Sequence, residues 1–216
     1  MDFTIGGIRE MRPGSRRRGH AAAGATAVAE YTGLWGWAVA PGARASGGAC
    51  SCGDAHCPAP GAHPLDFARE VPAGAALDTA ADAWAEVPGA SMLLPVGRTF
   101  DVLDVAEAAG RNALVRMERM GLPLGPVTVT PTGRTQFFVA PGAATGLPGL
   151  LYRMGWDDAG LDLRALGPGA YITAPPSDLG GLGPVRWLRP PVPDTAATPP
   201  QARLLLGTLA YICHRS

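Results

Sequence analysis

Apolar residues recur along this chain at two spacings, which predict helices and strands in alternation. Helical spacing predicts helices at 21 to about 34, 75–87, 107–120, 147–154 and 201–213. Clusters of β-branched and large apolar residues predict strands at 37–41, 91–97, 99–105, 161–164, 170–177 and 185–188, and a hairpin over 127–139 that turns at 131–133. The mixture of strand–helix units and hairpins places the fold class in α/β to α+β.

These elements fall into one folded region with flanking segments of different composition. Residues 21–189 hold nearly all of them, and 216 residues suffice for one well-filled domain or two small lobes with a shared core. Residues 1–20 are a basic arm with five arginines. Their pattern favours a solvated tail over a contact with nucleic acid or an acidic partner. Residues 190–200 are predicted to be a proline-rich linker before a C-terminal helix, 201–216.

The hydropathy of the chain argues against a membrane span, and its net charge gives no overall electrostatic attraction to nucleic acid. The formal net charge is zero, and all 18 basic residues are arginine, whose planar guanidinium suits phosphates and carboxylates. No apolar run approaches the roughly 20 residues of a membrane span. Arginines 16–18 precede an alanine-rich segment, as in an export signal. That segment is weakly hydrophobic and soon reaches Glu30, so the sequence predicts a cytoplasmic protein.

Potential metal-binding side chains are concentrated in the loop 48–64. Its core reads C-S-C-G-D-A-H-C-P-A-P-G-A-H-P from residue 50 to residue 64. Thiolates and imidazoles held close together suit Zn²⁺, which takes four such ligands in a tetrahedron. The predicted ligands are Cys50, Cys52, Cys57 and His63, with His56 as the alternative fourth ligand.

A disulfide with spare thiols is the alternative interpretation of this loop. Cys50 and Cys52 are poorly placed to bond to each other, and nothing in the sequence marks a secreted chain, so zinc is favoured. Because four protein ligands leave no position for water, the zinc is predicted to be structural. Cys213, far away beside the C-terminus, is predicted to be a plain buried thiol.

The loop also carries a family resemblance. Its pattern, C-x-C-G-x₃-C-P-x-P-G-x-H-P, resembles the zinc-binding loop of the bifunctional DNA primase/polymerase domain, a branch of the archaeo-eukaryotic primase superfamily. The family loop ends in Gly-Lys-His-Pro, and Ala62 stands here in place of the lysine. The resemblance runs from about Ala27 to about Trp187. It implies a two-lobed mixed-sheet fold, with a catalytic lobe, a ferredoxin-like or RNA-recognition-like lobe, and the zinc loop inserted.

The resemblance further implies carboxylates for two catalytic Mg²⁺ or Mn²⁺ ions. In that family a hydrophobic strand ends in Asp-x-Asp or Asp-x-Glu, whose carboxylates hold two ions about 4 Å apart. Here Asp104 is the leading carboxylate, and Ala106 takes the second position. Glu107 points off the opposite face of a continuing strand, so it reaches the site only if a bulge or a helix start turns it back. Asp101 also faces the other way.

Two later motifs supply the phosphate contacts and the third acid that the resemblance implies. The family's Gly-x-His-x-Tyr/Phe-Phe is similar to residues 133–138, where Thr135 takes the histidine's place and Arg134 remains as a phosphate contact. The next matching strand brings Asp162 as the remaining acid. The Ala-Pro-Pro-Ser sequence after it brings Ser177 as a phosphate neighbour.

Structural roles alone are the competing interpretation of these residues. On that interpretation Asp104 and Asp162 are solvated or hydrogen-bonded strand ends, and Arg164, Arg186 and Arg189 are ordinary surface charge. The combined order of zinc loop, acidic strand, hairpin and second acidic strand favours the family resemblance.

Two functions therefore follow from the sequence. The first is template-directed nucleotidyl transfer in DNA replication, weak and carried by Asp104, Asp162 and Glu107, with nucleoside triphosphate and DNA as substrates. The second is a non-catalytic module that binds nucleotide, nucleic acid or a protein partner. Ala106 and Thr135 favour the second, because each replaces a residue that the implied chemistry uses.

Overall fold

Two antiparallel sheets and one small hairpin carry the fold in the residues that the computed structural model describes, 24–46, 49–156 and 160–215. Helix α1 covers residues 24–34, and its last turn, Glu30–Leu34, is π-helical. The other helices are α2 Leu77–Glu86, α3 Glu107–Arg119, α4 Ala143–Arg153, α5 Pro193–Ala197 and α6 Ala202–His214. The strands are β1 Ala40–Gly42, β2 Ala45–Ser46, β3 Ala49–Cys50, β4 Ser91–Pro95, β5 Asp101–Ala106, β6 Val127–Val129, β7 Arg134–Val139, β8 Leu163–Leu166, β9 Tyr171–Thr173 and β10 Arg186–Arg189.

The larger sheet has the strand order β10-β6-β7-β5-β8, with every neighbouring pair antiparallel. Its registers align one residue from each strand in a row across the sheet: Trp187, Thr128, Gln136, Asp104 and Arg164. Neighbouring strands lie about 4.8 Å apart, so this transverse row spans roughly 19 Å. Residues directly opposite each other share a face, and the row therefore presents four polar side chains and one tryptophan on one face.

Helices α3, α4 and α6 cover the opposite face of this sheet. Leu103, Val105 and Phe137 point to that face and are fully buried. Leu205 and Leu209 of α6 enter the same core and are also fully buried. Burial of a side chain of this size contributes roughly 1.5–3 kcal/mol, so α6 is part of the core on this face of the sheet.

A second core lies on the face of the transverse row. It joins the larger sheet to the smaller one, of order β1-β4-β9. The rings of Phe100 and Phe138 lie 4.5 Å apart, and those of Trp37 and Phe138 lie 5.4 Å apart. Val102 and Phe138, which oppose each other in β5 and β7, stand two residues along from Asp104 and Gln136. The apolar core thus gives way to polar side chains along the same strands.

The predicted mixed α/β class is confirmed. The helices predicted at 75–87 and 107–120 are α2 and α3, and the hairpin predicted over 127–139 is β6 and β7. These segments have the clearest periodicity of the chain, and their ends are marked by proline or glycine.

Several element boundaries differ from the prediction. The strands predicted at 37–41 and 170–177 are β1, Ala40–Gly42, and β9, Tyr171–Thr173. The strand predicted at 161–164 lies at Leu163–Leu166, and the helix predicted at 147–154 begins earlier, at Ala143. Local spacing identifies these elements, but their ends depend on contacts with distant parts of the chain.

The segment 190–200, predicted as a linker, contains α5, Pro193–Ala197. Its Ala196 is buried, and the Ala196 carbonyl accepts a hydrogen bond from Trp37 Nε1 at 3.2 Å. This segment therefore packs against the aromatic core. The predicted arm, 1–20, lies outside the described residues. Within the described ranges, no helix is both long and apolar enough to cross a membrane.

Candidate metal centre and the Asp104 cluster

The hairpin β2–β3 and the loop after it gather three thiols and one imidazole. The ligand atoms of Cys50, Cys52, Cys57 and His63 all lie within 4.8 Å of one another. Zn–S bonds of about 2.3 Å place tetrahedral ligands roughly 3.8 Å apart. The cluster therefore fits a four-coordinate metal ion with only a small inward movement of its side chains.

Hydrogen bonds orient two members of this cluster. His63 Nδ1 lies 2.8 Å from the Pro64 carbonyl oxygen, and Nε2 lies 3.4 Å from Cys50 Sγ. With Nδ1–H donated to the carbonyl, Nε2 is left to face the metal position, as is usual for metal-binding histidines. Burial disfavours the Cys50 thiolate. Hydrogen bonds from the Cys52 and Gly61 backbones and from His63 outweigh that effect and lower the pKa of Cys50 to about 6.

The remaining candidates for this site lie apart from it. His56 is exposed, its backbone N–H donates to Asp54 Oδ1 at 2.8 Å, and it is not part of the cluster. All four cysteines are free, so no disulfide competes with metal binding. Cys213 is half-buried on α6, where burial raises its thiol pKa.

A second group of charged side chains surrounds Asp104 on the face of the transverse row; we call it the Asp104 cluster. The Asp104 side chain is only 1% exposed. Its Oδ1 accepts hydrogen bonds from Arg134 Nε at 2.7 Å and Arg164 Nε at 3.0 Å. Its Oδ2 accepts one from Gln136 Nε2 at 3.1 Å, and the amide oxygen of Gln136 accepts from the Thr128 hydroxyl at 3.2 Å. Both oxygens of this buried carboxylate are thus satisfied by protein donors.

Arg134 joins Asp104 to the second predicted acid. Its Nη1 donates to Asp162 Oδ2 at 2.6 Å, while Nη2 donates to the Asp104 carbonyl at 3.3 Å. The hydrogen bond from Arg134 lowers the pKa of the Asp162 carboxyl, and the bond to Asp162 raises the pKa of Arg134. The family resemblance implies that Asp104 and Asp162 act at one site, and in the structure both contact the guanidinium of Arg134.

Glu107 lies outside the Asp104 cluster. It is the first residue of α3, and its Oε1 accepts from Arg111 Nε at 2.7 Å in an i,i+4 pair. Ala106 follows Asp104 on the same face of β5 and lies opposite Arg134. Among the described residues, the cysteine–histidine cluster is the only group of three or more metal-ligating side chains. The Asp104 cluster therefore does not fit the two Mg²⁺ or Mn²⁺ ions that the sequence resemblance implies.

Thr135 and Ser177 are held by contacts elsewhere. Thr135 is fully buried on the opposite face of the sheet, where its hydroxyl donates to the Glu107 carbonyl at 3.4 Å. The Ser177 hydroxyl accepts from the Met92 N–H at 2.8 Å. It lines a cavity of about 440 Å³ together with Arg44. The structure brings neither residue into the hydrogen-bond network of Asp104.

Sequence reasoning missed Gln136 and treated Arg164 as surface charge. The predicted hairpin contained the signal for Gln136, since alternate residues of a strand share a face and Arg134 and Gln136 are two apart. Arg164 stands two residues after Asp162, and only the register of β8 with β5 sets it opposite Asp104.

The buried Asp101 lies outside the Asp104 cluster and has a structural role. Its Oδ2 accepts from the Ala144 N–H at 2.9 Å, which ties β5 to the first turn of α4. Its Oδ1 is buried without a hydrogen-bond partner among the described residues.

A family model, rather than an individual protein, matches this chain. No curated protein and no solved structure matches it. A family model described as bifunctional DNA primase/polymerase, N-terminal, matches residues 28–202 of the 216. The matched range contains the metal loop, the Asp104 strand and the hairpin that carries Arg134. Because the match covers well over half of the chain, and the sequence motifs agree with it, the chain belongs to the family of bifunctional DNA primase/polymerase N-terminal domains.

Proposed function

We propose that this chain is a zinc-containing primase/polymerase-like domain in which template-directed nucleotidyl transfer is weak or lost. Its remaining task would be to bind nucleotide or nucleic acid without processing it. The observation that carries this proposal is the incomplete carboxylate set: Ala106 stands beside Asp104, and Glu107 is paired with Arg111 on α3. The two-lobed arrangement of the family, with loop 48–64 inserted, is part of the proposal.

The missing carboxylate has a large expected effect on the rate. In two-metal catalysis, acidic side chains hold both ions. Each ion stabilises the negative charge of the transition state by several kcal/mol. Every 1.36 kcal/mol changes a rate tenfold. Loss of even one ion therefore lowers the rate by roughly 10³-fold or more.

Zinc is the metal we propose for the cysteine–histidine cluster. Three thiolates and one imidazole match the ligand preference of Zn²⁺, and they fill its tetrahedral shell. Such a site contributes to folding and offers no open position to a substrate. The zinc would then hold the loop 48–64 next to the end of β1. There the His63 carbonyl accepts a hydrogen bond at 2.9 Å from the N–H of Ala43, the residue after β1.

Primer extension by the full chain, in Mg²⁺ or Mn²⁺, tests the catalytic part of the proposal. We expect no product above a control without protein, although fluorescence anisotropy detects binding of the primer–template or of a nucleoside triphosphate. Robust extension that disappears in Asp104→Ala would overturn the proposal. Absence of both extension and any binding would direct the search to a protein partner, the second task that the family resemblance leaves open.

A further inference from the structure

We infer that Arg134 is a resident cation, which takes the place of a divalent metal ion between Asp104 and Asp162. Ligands would then bind to the Asp104 cluster without Mg²⁺ or Mn²⁺. The identity of the cation follows from the contacts of Arg134. That nucleotide is the ligand of this cluster rests on the proposed function.

The guanidinium of Arg134 is held by both acidic residues. Three of its nitrogens are engaged by two residues: Nε by Asp104 Oδ1 at 2.7 Å, Nη1 by Asp162 Oδ2 at 2.6 Å, and Nη2 by the Asp104 carbonyl at 3.3 Å. Mg²⁺ needs oxygen ligands at about 2.0–2.1 Å in a near-octahedral shell. The guanidinium fills the space between the two carboxylates, so an ion can enter only if Arg134 leaves.

The charges of the Asp104 cluster balance without a metal ion. Asp104 and Asp162 carry two negative charges, and Arg134 and Arg164, which contact them, carry two positive charges. The group is already neutral. A guanidinium keeps its charge throughout the working pH range, so this neutrality does not depend on proton release. A divalent ion would therefore meet repulsion from two fixed cations.

The buried position of Asp104 also calls for a partner of opposite charge. A carboxylate that is 1% exposed needs a permanent partner, because an unpaired buried charge is strongly unfavourable. In a metal site that partner arrives with the metal. Here the chain supplies it, together with the Gln136 amide.

Ala106 makes this arrangement sterically possible. It lies directly opposite Arg134 across β5 and β7, on the same face as Asp104. Its methyl group leaves room for the arginine to run past it to Asp104 and on to Asp162. A carboxylate at position 106 would compete for the same guanidinium. The small side chain of Ala106 thus allows Arg134 to occupy its position between Asp104 and Asp162.

The test is a titration of the zinc-loaded full chain with Mn²⁺, in which electron paramagnetic resonance measures the bound and free ion. We expect the native chain to show no Mn²⁺ binding that depends on Asp162. Arg134→Met should bind Mn²⁺ at least about tenfold more tightly than the native chain, and adding Asp162→Asn should remove that gain. Arg134→Lys, which keeps the positive charge, and Arg164→Met, which leaves the bridging group in place, are the matched controls and should gain much less.

Several outcomes would overturn the inference. The first is Mn²⁺ binding by the native chain that Asp162→Asn abolishes, a measurement that stands even if Arg134→Met fails to fold. The others are an equal gain in Arg164→Met and a folded Arg134→Met with no gain. The affinity of the zinc-loaded native chain for dATP should also change less than about twofold between buffer without added divalent cations and buffer with Mn²⁺, and a larger gain with Mn²⁺ would contradict the inference. None of these measurements reads primer extension, so a failure here is distinguishable from a failure of the proposed function.

Discussion

Removal of the Asp104 carboxylate should destabilise the fold, and the size of the effect follows from its surroundings. Asp104→Ala deletes the acceptor of three side-chain hydrogen bonds, from Arg134, Arg164 and Gln136. Breaking a buried ion pair by removing one partner costs about 3–5 kcal/mol. Arg134 keeps Asp162 as a partner, and Arg164 is 62% exposed and can be solvated. We therefore expect a value at the lower end, about 3 kcal/mol.

Asp162→Ala is the matched control for this experiment. It removes a carboxylate from the same guanidinium, but the Asp162 side chain is 60% exposed. Exposed ion pairs contribute about 0–1 kcal/mol. Urea titration with zinc present, monitored by tryptophan fluorescence, measures the unfolding midpoint of both variants. If the urea slope is near 3 kcal/mol per molar, Asp104→Ala lowers the midpoint by about 1 M and Asp162→Ala by less than about 0.3 M.

The sign of the Asp104→Ala effect distinguishes the two interpretations of the cluster. A carboxylate kept for a metal ion is uncompensated in the metal-free chain, so its removal leaves stability unchanged or raises it. A carboxylate that anchors a resident arginine lowers stability when it is removed. An Asp104→Ala chain as stable as the native one, or more stable, would refute our reasoning about Arg134.

Three further predictions concern other parts of the molecule. Protein purified without added metal should carry about one zinc per chain by elemental analysis, less than half of that in Cys57→Ser, and an unchanged amount in Cys213→Ser. Asp162 has a lowered pKa, so its pair with Arg134 contributes stability above the ordinary aspartate pKa of about 3.9 and loses it as pH falls through the lower folded value. The difference in unfolding free energy between the native chain and Asp162→Asn should therefore be constant from pH 6 to 8, stay within about 1 kcal/mol, and shrink below about pH 4. Leu205→Ala, in the fully buried part of α6, should cost about 2–5 kcal/mol in a urea titration; a loss below about 1 kcal/mol would show that α6 adds little to the core.

The elements that the sequence predicts well are those specified by local spacing. The period of α3 and the turn residues between β6 and β7 lie within a few residues of the structure they form. The cysteine–histidine loop is equally local, because its ligands lie within fourteen residues of one another. Such patterns need no knowledge of the rest of the fold.

The Asp104 cluster depends on strand register, which local spacing does not specify. Arg134 is thirty residues from Asp104 in sequence and Arg164 is sixty. Both reach it only because β7 and β8 flank β5. The family resemblance brought Asp104 and Asp162 together and treated Arg134 as a contact for a ligand's phosphate. Its engagement by the chain's own carboxylates became visible only in three dimensions.

The close approach of α3 to the sheet at Gly110 limits which side chains position 135 can hold. A Cβ atom at Gly110 would lie 2.4 Å from the Cβ of Thr135, so the helix backbone rests directly on that residue. An imidazole at position 135 would be overpacked, at a cost of about 1–3 kcal/mol, and would point into the helix layer, away from Asp104. A Thr135→His substitution alone should therefore destabilise the fold without adding a group to the Asp104 cluster. Close packing against α3 therefore favours a small side chain at position 135, and a larger one needs a compensating change in the helix.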